Sequence, residues 1–256
     1  MKIQYIKAYT DNYIWLIKTN EGNLVIDPGE FKPVEAFLVQ EGIQITDILL
    51  THHHYDHVGG VPDLKDNILG RVIGPDNLQI SGIDKHVVDG EVFRSCGIEF
   101  TVIEIPGHTL DHIAYFINDG SQPILFCGDT LFSAGCGRVF EGTLEQMYES
   151  LMKLKSLPEN TLVYCAHEYT VSNLKFALEV EPDNQNITQY LADCEKKINA
   201  GEITLPSSIS AELKINPFMR CGNKNLRQSI AAKDINAEND SDTKVFEYLR
   251  LWKDSY

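Results

Sequence analysis

The sequence predicts an α/β layered domain followed by a helical appendage, and three observations carry that prediction. Over the first 170 residues, short runs rich in Ile, Val, Leu, Phe and Tyr alternate with turns and with two helical patterns. After His167 the texture changes to helical periodicity. His and Asp residues stand just past the C-terminal ends of the apolar runs, the place where α/β folds gather their active sites.

The expected strands are IWLIKT, NLVIDPG, ITDILLT, RVIGP, IEFTVIEIPG, IAYFIN and PILFCGDT, most of which end in Gly, Pro, Asp or Asn. PVEAFLVQEG (33–42) and TLEQMYESLMKLKSLP (143–158) read as interleaved helices. In the second, Leu144, Met147, Tyr148 and Leu151 recur at i, i+3, i+4 and i+7, Thr143 occupies the N-cap position, and Pro158 follows the end. Strands alternating with helices imply layers. Farther on, NQNITQYLADCEKKINAG (184–201) aligns Ile187, Tyr190, Leu191, Cys194 and Ile198 on one stripe, with Gly201 as its stop. ITLPSSISAELKINPF reads as a Ser/Pro-containing connection. The final segment, DTKVFEYLRLWKDSY, repeats Val245, Leu249 and Trp252 at i, i+4 and i+7. No internal repeat or low-complexity tract interrupts this order.

Composition narrows the function classes. The chain has 256 residues, 43% of them hydrophobic and 23% charged, as in ordinary globular proteins. No apolar run approaches the roughly 18–20 residues of a membrane span. Lys2, Lys7 and Asp11 break up the apolar N-terminus, so no signal peptide is expected. Six singly spaced cysteines without a C-x-x-C pair fit reduced thiols in a cytoplasmic protein. The formal charge is −15, and residues 1–170 carry most of it, with 11 Lys and Arg against 24 Asp and Glu. That balance opposes nucleic acid as a partner, because such binding draws on basic side chains.

Residues 51–60, THHHYDHVGG, hold four of the eight histidines. The cluster follows the buried-strand pattern ITDILL and precedes two glycines that permit a tight turn. Extended backbone projects His52 and His54 to one side and His53 to the other. A bend just beyond redirects Asp56 and His57 toward a second point. Imidazole and carboxylate suit zinc, iron or manganese. A lone histidine here would be an ordinary structural residue; four with an aspartate point to metal. His108 in IEIPGHT, Asp129 in LFCGDTLF and His167 in LVYCAHEYT each follow an apolar run and supply further donors for a two-metal site.

Together, THHHYDH, PGHT, GDT and the late His167 resemble the ligand series of the metallo-β-lactamase superfamily. The resemblance implies a four-layer αββα sandwich, with His52, His54 and His108 on one metal and Asp56, His57 and His167 on the other. Asp129 would bridge the two ions, most plainly zinc, with iron or manganese also accepted by these donors. His53 and His112 match no ligand position. A narrower resemblance, to the glyoxalase II or hydroxyacylglutathione hydrolase family, lies in GDTLFSAGCGRVFEGT (128–143), HEYTVSNLKFA (167–177), NPFMR (216–220) and the R-x-x-K-D ending at 250–254. It implies a catalytic domain over 1–170 and a helical glutathione-binding domain over 171–256. Arg138, Phe140, Tyr169, Arg250 and Lys253 would contact the substrate. Ala166 stands where the family often has glycine, and Phe140 where some members have tyrosine.

The activity so implied is hydrolysis of S-D-lactoylglutathione by metal-bound hydroxide, with Asp56 guiding the hydroxide's proton. A glutathione thioester is then the expected partner, with no nucleic acid or membrane involved, and a monomer is expected. Arg250 and Lys253, three residues apart, are expected on one exposed helix face. Two rival readings are a mononuclear-iron persulfide dioxygenase and a non-catalytic metal-binding protein. The first needs neither the second-metal donors nor the C-terminal helices. The second favours exposed cysteine clusters, which the sequence lacks.

Overall fold

Strands buried on both faces need continuous apolar stretches, and the middle of the first sheet has them. In the computed structural model, which describes residues 1–231 and 239–256, Leu24–Ile26, Ile48–Leu50 and Val72–Ile73 are all essentially inaccessible to solvent. The chain forms two compact units, Met1–Glu104 with Asp111–Gly128, and Ile105–Leu110 with Asp129–Tyr256.

The first unit opens with β1 (Lys2–Ala8), β2 (Asn12–Lys18) and β3 (Asn23–Ile26), an antiparallel series. Helix α1 (Phe31–Glu41) then crosses over to β4 (Asp47–Leu49), which pairs parallel to β3. Its Val34 is buried with Ile14, Leu16, Val25 and Ile48, and Phe31, Phe37 and Leu38 pack around that cluster. Two short helices, α2 (Tyr55–Val58) and α3 (Val61–Lys65), lead to β5 (Val72–Gly74) and β6 (Lys85–His86), which extend the sheet in parallel. A second, antiparallel run follows in β7 (Val92–Ser95), β8 (Ile98–Glu104), β9 (Ile113–Ile117) and β10 (Ile124–Phe126). The buried Tyr115 hydroxyl of β9 donates to the Leu50 carbonyl at 2.7 Å, and its ring packs edge-on against Phe93 and Phe100. That hydrogen bond satisfies a polar group which burial would otherwise penalise.

The second unit carries a hairpin of β11 (Leu131–Phe132) and β12 (Gly135–Cys136), then helix α4 (Leu144–Lys155). The expected Thr143 cap is a full capping box: Thr143 Oγ1 accepts from Gln146 N, and Gln146 Oε1 accepts from Thr143 N. Next come β13 (Leu162–Tyr164), α5 (Thr170–Val180) and α6 (Gln185–Asn199), with Leu174, Ala177, Ile187 and Cys194 in one core. The stretch expected as a connection is instead structured. It forms β14 (Ser207–Ser208), α7 (Ile209–Ile215) and a 3-10 turn at Pro217–Met219, with Ser208 capping α7. The inward position Glu212 breaks the apolar stripe, which is why periodicity alone passes over α7. Helices α8 (Lys224–Ala231) and α9 (Asp242–Ser255) complete the unit, with Phe246 of α9 against Tyr148 and Phe218.

Candidate metal centre

The seven predicted ligands fall four in the first unit and three in the second. In the first, the ends of the parallel strands β3 and β4 lie side by side, because Asp27 N donates to the Leu49 carbonyl at 3.0 Å. Asp27 and Thr51 thus meet at the C-terminal edge of the sheet, where polar groups can gather. Two glycines let the following loops close on each other. A Cβ on Gly29 would fall 1.7 Å from the Asp56 carbonyl oxygen, and one on Gly59 would fall 2.7 Å from those of Gly29 and Tyr55.

The bend foreseen after His54 is α2, and it does redirect Asp56 and His57. The His52 ring lies 4.8 Å from His54 and 4.1 Å from His57, centroid to centroid. His53 points elsewhere and meets Asp111 at 2.9 Å. His112 stacks on His52 at 4.4 Å. Asn12, buried at the start of β2, donates to Asp56 Oδ2 at 2.9 Å, which fixes one carboxylate oxygen.

Asp27 has no role in the sequence-based prediction, yet it organises this half. Its Oδ1 accepts from Thr51 N (2.8 Å), and its Oδ2 accepts from Thr51 Oγ1 (2.7 Å) and His57 Nδ1 (3.0 Å). Since Thr51 spends its proton on Asp27, its oxygen accepts from His52 Nδ1 at 3.0 Å. One carboxylate therefore sets the tautomers of both His52 and His57, leaving each Nε2 as a lone-pair donor. The residue adopts φ 52°, a conformation uncommon outside glycine, and this cost is located at the site it builds. The readable signal is the D-P-G turn that ends one parallel strand beside another.

In the second unit, Asp129 Oδ2 lies 3.5 Å from His108 Nε2 and 3.3 Å from His167 Nε2, and all three residues are buried. His108 Nδ1 donates to the Arg138 carbonyl at 2.7 Å, so again the lone pair is on Nε2, the nitrogen that faces Asp129. Tyr169 stacks on His167 at 4.8 Å, and Phe132 packs edge-on against both. Phe140, 60% exposed, sets its edge against His108. Imidazole nitrogens beside carboxylates, with His52, His57 and His108 each held through Nδ1, form a donor set that fits zinc, iron or manganese.

The expected substrate contacts divide differently. Lys253 is half-buried over the rings of Phe176 and Tyr256, and burial, reinforced by the charge of Arg250, lowers its pKa to about 8. Arg250 is not on an exposed face. Only 5% accessible, it lies over Phe218, and its guanidinium donates to the Cys136 carbonyl and to Asp254 Oδ1. Residues 249 and 250 both turn inward because α9 is covered on more than one side, against α4 and the 3-10 turn. Arg138, more exposed, also donates to Asp254 Oδ1.

Comparison with known proteins agrees with this geometry. The model of the metallo-β-lactamase superfamily matches residues 10–167, and that of the hydroxyacylglutathione hydrolase C-terminus matches residues 168–256. Among solved structures, ETHE1 from Myxococcus xanthus is 26% identical with a TM-score of 0.65, covering 99% of this chain and 98% of its own. The BLEG-1 B3 metallo-β-lactamase shares the fold at 20% identity and TM-score 0.65, over 85% of this chain and 99% of its own. The protein thus has the metallo-β-lactamase fold of mixed sheets and helices, with a C-terminal helical domain, and it is a metal-dependent hydrolase. Hydroxyacylglutathione hydrolases of Pseudomonas savastanoi pv. phaseolicola (strain 1448A / Race 6) and Pseudomonas aeruginosa (strain LESB58) are 47% and 48% identical, each aligned over the whole of both chains. The chain belongs to the hydroxyacylglutathione hydrolase family.

Proposed function

We propose that this protein hydrolyses S-D-lactoylglutathione, and related 2-hydroxyacyl glutathione thioesters, to glutathione and the free acid. This is the second step of methylglyoxal detoxification in the glyoxalase pathway. The observation that carries the reading is the union of the His/Asp donor set with a C-terminal helix that bears Arg250 and Lys253, in a chain alignable end to end with enzymes of that name. In this reading His52, His54 and His108 hold one divalent ion, Asp56, His57 and His167 hold a second, and Asp129 serves both. When bound, such ions supply hydroxide near neutral pH and polarise the thioester carbonyl.

The protein's own residues do the rest. Asp27 and the Arg138 carbonyl hold imidazoles in the ligating tautomer. Asn12 orients the Asp56 carboxylate, which would guide the proton of the attacking water. As the C–S bond breaks, its electron pair leaves with sulfur, and thiols ionise near pH ~8.5, so the thiolate departs without a dedicated acid. Arg138, Phe140, Tyr169, Arg250 and Lys253 belong to the glutathione side. Residues 1–170 are assigned to catalysis and 171–256 to substrate binding. No helix among the described residues is long and apolar enough to cross a membrane. A cytoplasmic monomer is part of the proposed reading.

The test is turnover of lactoylglutathione beside glutathione persulfide, a penicillin and an RNA precursor. The thioester should be cleaved with kcat/KM within about 10⁴–10⁸ M⁻¹s⁻¹, and the others poorly. Oxygen uptake with the persulfide exceeding thioester cleavage would move the assignment to a dioxygenase.

A further inference from the structure

Near its C-terminus, α9 breaks a local rule. The last turn of a helix favours cations, because the unpaired carbonyls there carry partial negative charge. Lys253 obeys; Asp254 does not. Four residues earlier, Arg250 also opposes the favoured order of an i,i+4 pair, in which the acid comes first. A local conflict of this kind calls for a tertiary reason.

The reason lies on a single oxygen. Asp254 Oδ1 accepts from Arg250 Nη2 at 3.0 Å and from Arg138 Nε at 3.1 Å. Arg250 is fixed from behind by the Cys136 carbonyl at 2.9 Å and by the Phe218 ring, so it is a rigid post. Arg138 has a long side chain, 55% exposed, which would sample many rotamers if left alone. Its contact to Asp254 uses only Nε and leaves Nη1 and Nη2 for another acceptor. The main chain of Arg138 is anchored independently, because its carbonyl holds His108 Nδ1. Residue 138 is therefore pinned at both ends, by a predicted metal ligand and by the C-terminal helix.

We propose that Asp254 is a positioning residue for the anionic substrate: it holds Arg138 against Arg250 so that the outer guanidinium nitrogens of Arg138 face a glutathione carboxylate. This rests on the reading that the cationic cluster takes the glutathione portion. Fixing the side chain before binding removes an ordering cost that would otherwise weaken affinity. In a protein of net charge −15, an acid placed inside its cationic cluster weakens that cluster's attraction for an anion, so its value lies in geometry.

The experiment is steady-state kinetics with lactoylglutathione on the metal-loaded wild type, Asp254→Asn, Arg138→Ala and the double variant. Melting temperature and metal content are measured on each. Asp254→Asn keeps the shape and removes the charge, so KM should rise by about fivefold with kcat within about twofold, the signature of lost ground-state binding. In the Arg138→Ala background the same substitution should have little further effect, because its target is gone. Asp254→Ala, which removes the carboxylate and leaves Arg138 in place, reads the same link if the asparagine variant folds poorly, and it should raise KM to a similar degree. An Asp254→Asn KM equal to or below wild type would overturn the proposal, since the acid would then be inert or a competitor for Arg138. Fully multiplicative effects in the double variant would overturn it as well. An unchanged KM in Arg138→Ala would remove the glutathione-side reading itself, an outcome distinct from Arg138→Ala raising KM while Asp254→Asn does not.

Discussion

Asp27 Oδ2 accepts from His57 Nδ1 at 3.0 Å, and the same oxygen accepts from the Thr51 hydroxyl whose own oxygen faces His52. One buried carboxylate stands behind two predicted ligands of different metal ions. Removing its charge should loosen both. Asp27→Asn is expected to lower affinity for divalent ions by about 10–100-fold, the usual effect of losing a ligand's supporting hydrogen bond. Metal titration followed by elemental analysis checks this; unchanged affinity would show that Thr51 and the chain fold hold the imidazoles unaided.

Asp129 lies between His108 and His167, near 3.5 and 3.3 Å from their Nε2 atoms. A carboxylate shared by two ions should be indispensable to both. Wild type should hold about two ions per chain, with chelation abolishing hydrolysis, and Asp129→Ala should bind fewer than one. Full loading of the alanine variant would rule out a bridging role.

Gly29 has the least room of any site glycine. A Cβ there would sit 1.7 Å from the Asp56 carbonyl oxygen, so the D-P-G turn and the α2 loop would have to separate. Gly29→Ala should therefore destabilise the fold by about 2–4 kcal/mol, in the range of severe backbone and overpacking clashes, and displace Asp56 and His57. Thermal unfolding with and without added metal measures both effects. A melting temperature and metal affinity equal to wild type would mean that the turn has slack.

Lys253 supplies a pH test. Burial and the neighbouring Arg250 lower its pKa to about 8, so the ammonium is present below that pH and lost above it. If it attracts a glutathione carboxylate, kcat/KM should fall as pH rises through about 8, because that ratio reports groups of the free enzyme. Lys253→Met should lower kcat/KM at neutral pH and erase this limb. A limb that persists in the methionine variant belongs to another group.

Legibility from sequence depended on the kind of contact. Strand runs such as ITDILLT and the capped helix at 143–158 were readable because their signals are local: period, cap and stop. α7 was not, since its inward Glu212 is satisfied by Ala134 N and Asn216 Nδ2, partners that sequence spacing does not reveal. Arg250 was expected outside because basic residues are ordinarily exposed. Its burial depends on Cys136 and Phe218, more than 100 and 30 residues away along the chain, respectively.

By itself the sequence determined the proposed donor set: seven His and Asp residues placed after apolar strands, a family pattern in THHHYDH, PGHT, GDT and HEYT, and the basic pair Arg250 and Lys253 near the end. Those are choices of residue type at fixed local spacing, and a strand end or a helix turn enforces them wherever the chain folds. Only the tertiary structure decided which groups stand behind the donors. Asp27 reaches Thr51 and His57 because β3 and β4 pair in parallel, and Asp254 reaches Arg138 across 116 residues because α9 is covered on two sides. Hydrogen bonds act over about 3 Å, so partners this distant in sequence are set by packing alone.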